Sequence, residues 1–199
     1  MLQKLDRLKE SPSQTAGPYV HIGLTPNFSG IGGVFPSDLG QQIAGPGALG
    51  TRITITGRVL DGTGTPLRDA LLELWQADSA GRYAGQEGAD PEVSSWGRCA
   101  TDMETGVYTF ETVKPGPVPT HMGGLMAPHV SLWIVARGIN LGLSTRAYFD
   151  DEDNSADPVL ARIEHQVRVP TLIAKGDGAG TYTFDIHLQG PNESIFFDL

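Results

Sequence analysis

The chain has 199 residues, 39% of them hydrophobic and 19% charged, which is the composition of a folded domain and excludes a disordered one. A formal charge of −9 and a pI near 4.9 argue against nucleic acid as a partner, because the phosphate backbone would be repelled. A single cysteine, Cys99, excludes an internal disulfide, and no apolar run approaches the roughly 20 residues of a membrane helix. We therefore expect a cytoplasmic protein with no membrane partner.

Residues 1–50 have little hydrophobic periodicity and many Gly, Pro, Ser and Gln residues. Irregular segments of this length in a domain are usually functional or packed against another surface. We expect an N-terminal arm that packs on a partner chain through Tyr19, Ile22 and Phe28. A frayed terminus is the alternative. Residues 51–199 form the main domain in this interpretation.

Short strands separated by turns follow the arm. Ile53, Ile55 and Val59 alternate with polar residues, which predicts a half-buried strand ending at a hairpin-type turn over residues 61–62. Further strands are predicted at residues 70–76, 107–113, 129–136, 145–149 and 181–188. Repeated short strands with regular turns predict an all-β fold, a β-sandwich.

One short helix is predicted in the second half of the chain. Asp157 can cap it, Pro158 fits its first position, and Val159, Leu160 and Ile163 form an apolar stripe.

Several short segments become specific when their order and spacing are taken together. They are residues 13–19 (SQTAGPY), 57–62 (GRVLDG), 74–78 (LWQAD), 112–116 (TVKPG), 126–129 (MAPH) and 136–140 (ARGIN). In this order they resemble the intradiol ring-cleaving dioxygenases, from about Ser11 to Leu199. The resemblance implies a β-sandwich of the intradiol dioxygenase type.

The resemblance also implies a ferric, non-haem iron site, which catalytic members build from two tyrosines and two histidines. Fe(III) is a hard ion that favours phenolate and imidazole ligands. Tyr83 and His129 match two of the four positions, but Val118 and Ser131 stand at the other two. His121 lies near this loop at a shifted spacing and is a weak replacement. We expect a vestigial site that holds no metal and no catalytic residue, in which Tyr83 and His129 are packed core side chains.

Such a deficit is typical of the non-iron subunit in heteromeric members that cleave protocatechuate with O2. The resemblance then implies a homologous iron-bearing beta subunit as partner, which holds the Fe(III), and alpha–beta protomers in a higher oligomer. It assigns substrate-binding roles to Thr15, Gly17, Pro18, Tyr19 and Arg137. The alternatives are a structural salt bridge for Arg137 and plain interface packing for residues 15–19.

Two rival functions remain open from the sequence. One is a stand-alone β-sandwich that binds small aromatic acids, and the other is a self-sufficient iron enzyme that uses Tyr83, His129 and unexpected donors. The acidic residues 150–153 lack the alternating ligand spacing of a calcium loop, so a solvated loop is the preferred interpretation.

Overall fold

Strands form where apolar side chains recur at every second position, as the computed structural model shows over the residues it describes, 14–120 and 123–198. Strand β1 (Arg52–Leu60) buries Ile53, Ile55 and Val59 and turns the residues between them outward, so the predicted alternation is confirmed. The other elements, in chain order, are α1 (Pro18–Leu24), β2 (Leu71–Gln76), β3 (Trp96–Ala100), β4 (Val107–Val113), β5 (Val118–Pro119), β6 (Leu125–Met126), β7 (His129–Val135), β8 (Leu143–Phe149), two 3₁₀ helices (Leu160–Arg162 and Gln166–Leu172), β9 (Ile173–Gly176), β10 (Thr181–Thr183) and β11 (Ile186–His187).

The strands form two layers. In one layer β1 pairs antiparallel with β4 and parallel with β10 and β11. In the other layer β2 lies between β3 and β7, and β7 pairs antiparallel with β8. Strand β9 joins the two layers, because it pairs antiparallel with β10 and parallel with β8. The predicted β-sandwich is therefore confirmed, with a mixed sheet that folds over on itself.

The core lies between the layers and draws on both. From the first layer it takes, among others, Ile55 and Phe110, and from the second it takes Leu74 and Leu132. Strand β7 is central and apolar, as predicted for residues 129–136. A smaller cluster around Tyr148 and Leu172 packs under the 3₁₀ helices.

The described part of the N-terminal arm packs on the sandwich. Ile43 is buried in the main core, Ala44 forms an isolated β-bridge with Val93, and the backbone N–H of Arg98 donates to the Gly40 carbonyl at 3.0 Å. The arm is thus attached to the sandwich at residues 40–44, whereas residues 1–13 lie outside the described part of the chain.

Two local predictions differ from the structure. The predicted helix is a single 3₁₀ turn, because Ile163 adopts extended backbone (φ −65, ψ 120), although Asp157 does receive the N–H groups of Val159 and Leu160 at 2.8 and 3.0 Å. The one α-helix of the described residues, α1, lies in the arm, where no helix was predicted. Pro18 begins it, and Gly17 before it provides no side-chain cap. None of the described helices is long and apolar enough to cross a membrane.

Candidate functional site

The structure brings the 15–19 segment and Arg137 together at the end of β7. The Thr15 hydroxyl donates to the Ala136 carbonyl at 3.3 Å, across 121 residues of sequence, and accepts from the Gly138 N–H at 2.8 Å. These two hydrogen bonds bracket Arg137 on both sides. The two segments predicted to bind substrate are therefore neighbours, held by hydrogen bonds between the Thr15 hydroxyl and the backbone on either side of Arg137.

Arg137 is both ion-paired and exposed. Its Nε lies 3.1 Å from the Asp69 carboxylate, while 79% of its side chain remains accessible. The Asp69 carbonyl in turn accepts from Nε2 of the buried His21 at 2.9 Å, which ties α1 to the same place. The salt bridge considered from the sequence exists, but an exposed pair is worth at most about 1 kcal/mol and does not lock the guanidinium.

A hollow of about 360 Å³ opens beside Arg137. Gly17 and Pro18 line it, together with Ser29, whose buried hydroxyl has no hydrogen-bond partner among the described residues. Tyr19 next to them is 82% exposed. We name these residues, 15–19, Ser29 and Arg137, the Arg137 cluster. The cluster presents polar groups and accessible backbone on an open surface.

The four positions that the resemblance assigns to a vestigial iron site lie in or beside the second layer. Tyr83 stacks on Trp75, with ring centroids 5.7 Å apart and planes 10° apart, and burial raises the pKa of its hydroxyl. Val118 is buried in β5, and Ser131 is half-buried on β7. Neither of these two side chains offers a strong ligand for ferric iron.

His129 is 2% exposed and lies against Tyr148, with ring centroids 5.5 Å apart. Its Nδ1 is 2.7 Å from the Ala127 carbonyl; a carbonyl can only accept, so Nδ1 carries the proton. Burial lowers the pKa of His129 to about 4, so the ring is neutral near pH 7. The interpretation of His129 as a satisfied core histidine fits these contacts.

Arg146 on β8 is the residue of this site that the sequence reasoning missed. Its backbone pairs directly with Ser131 across the β7–β8 ladder, so the two side chains share one face of the sheet. One Nη lies 3.4 Å from the Met126 sulfur and 3.5 Å from the Tyr148 hydroxyl. The Arg146 charge also acts to lower the pKa values of Tyr83 and His129. The strand over residues 145–149 was predicted. The sequence signal that could have identified Arg146 is a cation inside that strand, two residues before Tyr148.

These residues do not fit a ferric ion. Of the four positions, Val118 has no donor atom and Ser131 has only a neutral hydroxyl, and a guanidinium that is always charged stands beside the remaining two. Across residues 14–120 and 123–198, no three His, Cys, Asp or Glu side chains converge to hold a metal. His121, considered as a replacement ligand, lies outside the described residues.

The acidic segment 150–153 has other partners. Lys114 lies 2.8 Å from the Asp151 carboxylate and 2.6 Å from that of Glu152, while Asp150 accepts the Gly176 N–H at 2.9 Å. The carboxylates are engaged by the fold, which agrees with a loop and not with a calcium site.

The fold and these four positions can now be compared with known proteins, and the comparison identifies the class to which the chain belongs. The family model described as "Dioxygenase" matches residues 25–190. The dioxygenase domain of a dioxygenase carbohydrate-binding fusion from Streptomyces sp. SirexAA-E superimposes with a TM-score of 0.55, at 22% identity over 78% of this chain and 88% of that one. The chain belongs to the intradiol ring-cleaving dioxygenase family.

Within that family the similarity narrows to one kind of subunit. The chain is 46% identical to the protocatechuate 3,4-dioxygenase alpha chain of Pseudomonas putida, covering 98% of both sequences. It is also 38% identical to the protocatechuate 3,4-dioxygenase beta chain of Burkholderia cepacia, over 71% of this chain and 66% of that one. The relatives thus include both chain types of one enzyme, and the full-length match is to the alpha type.

Proposed function

We propose that this chain is the non-iron alpha subunit of a protocatechuate 3,4-dioxygenase. It pairs with a homologous beta subunit that holds the Fe(III), and the pair cleaves protocatechuate with O2 to 3-carboxy-cis,cis-muconate. The observation that carries the proposal is the exposed Arg137 cluster, found in a chain whose own metal positions do not fit iron. The stand-alone binding module does not account for the 46% identity, over 98% of this chain, to a protocatechuate 3,4-dioxygenase alpha chain.

The chemistry of the cluster suits a dihydroxybenzoate. The planar guanidinium of Arg137 can take the carboxylate with two parallel hydrogen bonds, a geometry that lysine cannot offer. On a protein with a formal charge of −9, this local cation makes an anionic substrate acceptable. Asp69 orients the guanidinium from the protein side.

Gly17 and Pro18 provide the wall against which an aromatic ring can lie. Gly17 has φ −114, which any residue adopts, and a methyl group built on it would meet no atom within 4 Å. The fold of this chain therefore does not require glycine at this position. A glycine here would instead allow a ligand or the partner chain to approach the backbone closely.

The arm supports the partner assignment. Between residues 19 and 49 it exposes a series of large apolar side chains, which are Tyr19, Ile22, Phe28, Ile31, Val34, Phe35, Leu39 and Leu49. So many exposed large apolar side chains within about 30 residues of one segment are what a contact segment for another chain would provide. We assign residues 1–50 to partner contact and pocket formation, residues 51–199 to the sandwich domain, and the assembly to the cytoplasm as an oligomer of alpha–beta protomers.

The test compares the chain purified alone with the chain co-expressed with a candidate beta subunit. We expect the chain alone to hold no stoichiometric iron and to leave protocatechuate unchanged, while the pair holds about one iron per protomer and consumes O2. Turnover by the chain alone, or a pair whose activity is indifferent to this chain, contradicts the proposal.

A variant separates the role of Arg137 from general effects. Arg137→Ala in the assembled pair should raise the KM for protocatechuate by roughly tenfold or more, since a charged hydrogen-bonded pair is lost, and leave the iron content unchanged. The matched control is Arg58→Ala, another exposed arginine, which lies on β1 in the other layer. Equal KM values in the two variants contradict the role of Arg137.

A further inference from the structure

A second concave surface lies on the outer face of the β3–β2–β7–β8 layer. It is a cleft of about 410 Å³, and its walls include all three tryptophans of the chain, Trp75, Trp96 and Trp133, together with Phe197. The strand register explains the gathering, because Trp96 pairs with Trp75, Trp75 with Ser131, and Ser131 with Arg146. Residues paired across a ladder point to the same face, so one row of side chains leads from the indoles to the Arg146 guanidinium.

Arg146 is a half-buried cation without an acidic partner. Among the described residues no carboxylate lies within 4.0 Å of it, and its two polar contacts, to the Met126 sulfur and the Tyr148 hydroxyl, are long at 3.4 and 3.5 Å. A guanidinium carries five N–H donors, so most of its hydrogen-bonding capacity has no protein acceptor within reach. Removing a cation partly from water without pairing it is unfavourable, and an incoming anion would relieve that cost.

The one acidic side chain of the cleft does not compensate Arg146. Glu73 lines the cleft, but its carboxylate accepts from Nε of Arg98 at 2.9 Å and is paired across the β2–β3 ladder with that residue. The buried Asp157 carboxylate is occupied as well, by the N–H groups of Ala127, Val159 and Leu160. The electrostatic character of the cleft near β8 is therefore set by Arg146.

We propose that this cleft binds a small monocyclic aromatic carboxylate, with the carboxylate on Arg146 and the ring between the indole walls. An apolar, aromatic cleft with one convergent charged group is the usual construction of a small-molecule site. Indole faces accept an aromatic ring by offset or edge-to-face contact, and the guanidinium fork accepts the carboxylate. The same cation repels metal ions, so the anion fits where a metal does not.

The location of the tryptophans provides the assay. Because all three indoles line the cleft, the tryptophan fluorescence of the full-length chain, excited selectively over its five tyrosines, reports on this surface. The chain, purified without any partner, is titrated with 4-hydroxybenzoate, and the dissociation constant is confirmed by calorimetry. We expect saturable quenching, and we expect the neutral 4-hydroxybenzyl alcohol to bind about tenfold more weakly or worse, because it lacks the charge.

Matched variants locate the site. Arg146→Met keeps an unbranched apolar stem and removes the charge; it should weaken 4-hydroxybenzoate binding about tenfold or more while the circular dichroism spectrum stays unchanged. Arg146→Gln serves the same purpose if the methionine variant is poorly folded. Arg58→Met is the control for loss of one positive charge elsewhere, and it should bind like the natural chain.

The outcomes separate this inference from the proposed function. No saturable signal up to about 10 mM, or equal affinity in the Arg146 and Arg58 variants, overturns the cleft as a binding site. Binding that is lost in Arg137→Ala and retained in Arg146→Met overturns it too, because the ligand then lies at the Arg137 cluster. None of these results depends on iron or turnover, so the subunit assignment stands or falls separately in the co-expression experiment.

Discussion

Arg137 and Arg146 show how the surroundings of one residue type decide its chemistry. Arg137 follows a strand, is 79% exposed, and is oriented by Asp69 and by the Thr15 hydrogen bonds on either side. Arg146 lies within a strand, is half-buried, and has no carboxylate within ion-pair distance among the described residues. The first is suited to reach a ligand held by another chain, and the second is suited to receive an anion into this one.

A substitution at Gly17 tests whether a ligand lies against the backbone of the Arg137 cluster. We expect Gly17→Ala to fold normally, because the added methyl meets open space and the loss of a glycine N-cap costs only about 0.5 kcal/mol. In the assembled enzyme the same methyl should raise the KM for protocatechuate by roughly tenfold, as an extra carbon in a tight site does. Steady-state kinetics and thermal melting of the pair measure both effects.

Gly32→Ala is the control for that variant. Gly32 also lies in the arm, has an ordinary φ, and would place its methyl in open space. Its KM should match that of the natural enzyme. If Gly17→Ala matches it as well, no ligand lies against Gly17.

Arg146 also bears on why this chain does not fit iron. We expect Val118→Tyr with Ser131→His, which restores donors at both lost positions, to leave the chain with far less than one iron. Two tyrosinate ligands would reduce the charge of a ferric site to about +1, and repulsion between unit charges 4 Å apart is about 4 kcal/mol near a protein surface. Adding Arg146→Gln should allow uptake, measured as iron per chain and as the visible absorption of tyrosinate bound to Fe(III).

The matched control adds Arg58→Gln to the same double variant and should remain iron-poor. An iron content near one in the double variant would show that the two absent ligands alone explain the poor fit to iron and that the Arg146 charge is immaterial.

At the level of elements, the Asp157 carboxylate connects the second layer to the first 3₁₀ helix. Asp157 accepts the Ala127 N–H at 2.8 Å with one oxygen, and the Val159 and Leu160 N–H groups and the Tyr148 hydroxyl with the other. The residue is fully buried, so each of these donors depends on it. A side chain predicted as a helix cap is thus also the link between β6, β8 and the first 3₁₀ helix.

Asp157→Ala should therefore cost about 3 kcal/mol or more of unfolding free energy, since it leaves several buried donors without an acceptor. Urea unfolding followed by circular dichroism measures the loss. Asp153→Ala, which removes an exposed carboxylate that accepts one N–H from Ser155 at 3.0 Å, should cost less than about 1 kcal/mol. Similar losses in the two variants would contradict the assigned role of Asp157.

Strands predicted from alternation were confirmed. Features that depend on distant partners, such as a break within a strand, were not predicted. The predicted 181–188 strand keeps one buried face, with Tyr182, Phe184 and Ile186, but it is divided into β10 and β11. The division occurs because the Asp185 carboxylate accepts the Arg58 N–H at 2.8 Å in place of a backbone carbonyl. Strand β9 was not predicted; it forms between β8 and β10 because both offer unpaired backbone there.

For the whole molecule, we propose that the exposed apolar side chains of the arm form the contact with the beta subunit. Val34→Asp places a charge in this surface, at a residue that is 57% exposed, and should weaken association with the beta subunit without destabilising the chain. Size-exclusion chromatography and pull-down of the co-expressed pair measure the effect. Val167→Asp is the control, because Val167 is 89% exposed but lies on the second 3₁₀ helix.

The two variants distinguish a specific interface from a general solubility effect. If Val34→Asp and Val167→Asp leave the complex equally intact, the arm is not the contact surface. If both disrupt it, the interface extends beyond the arm to the second 3₁₀ helix.

The sequence by itself determined the sandwich, the central strand and the family, because alternation and short motifs are local in the chain, and from the family resemblance it predicted that two metal ligands are missing. It also named Thr15 and Arg137 as site residues. Only the tertiary structure showed that Thr15 brackets Arg137, that three distant tryptophans line one cleft, and that Arg146 faces Ser131. These are matters of strand register between segments far apart in the chain, and register is set by the packing of whole layers, which no local pattern specifies.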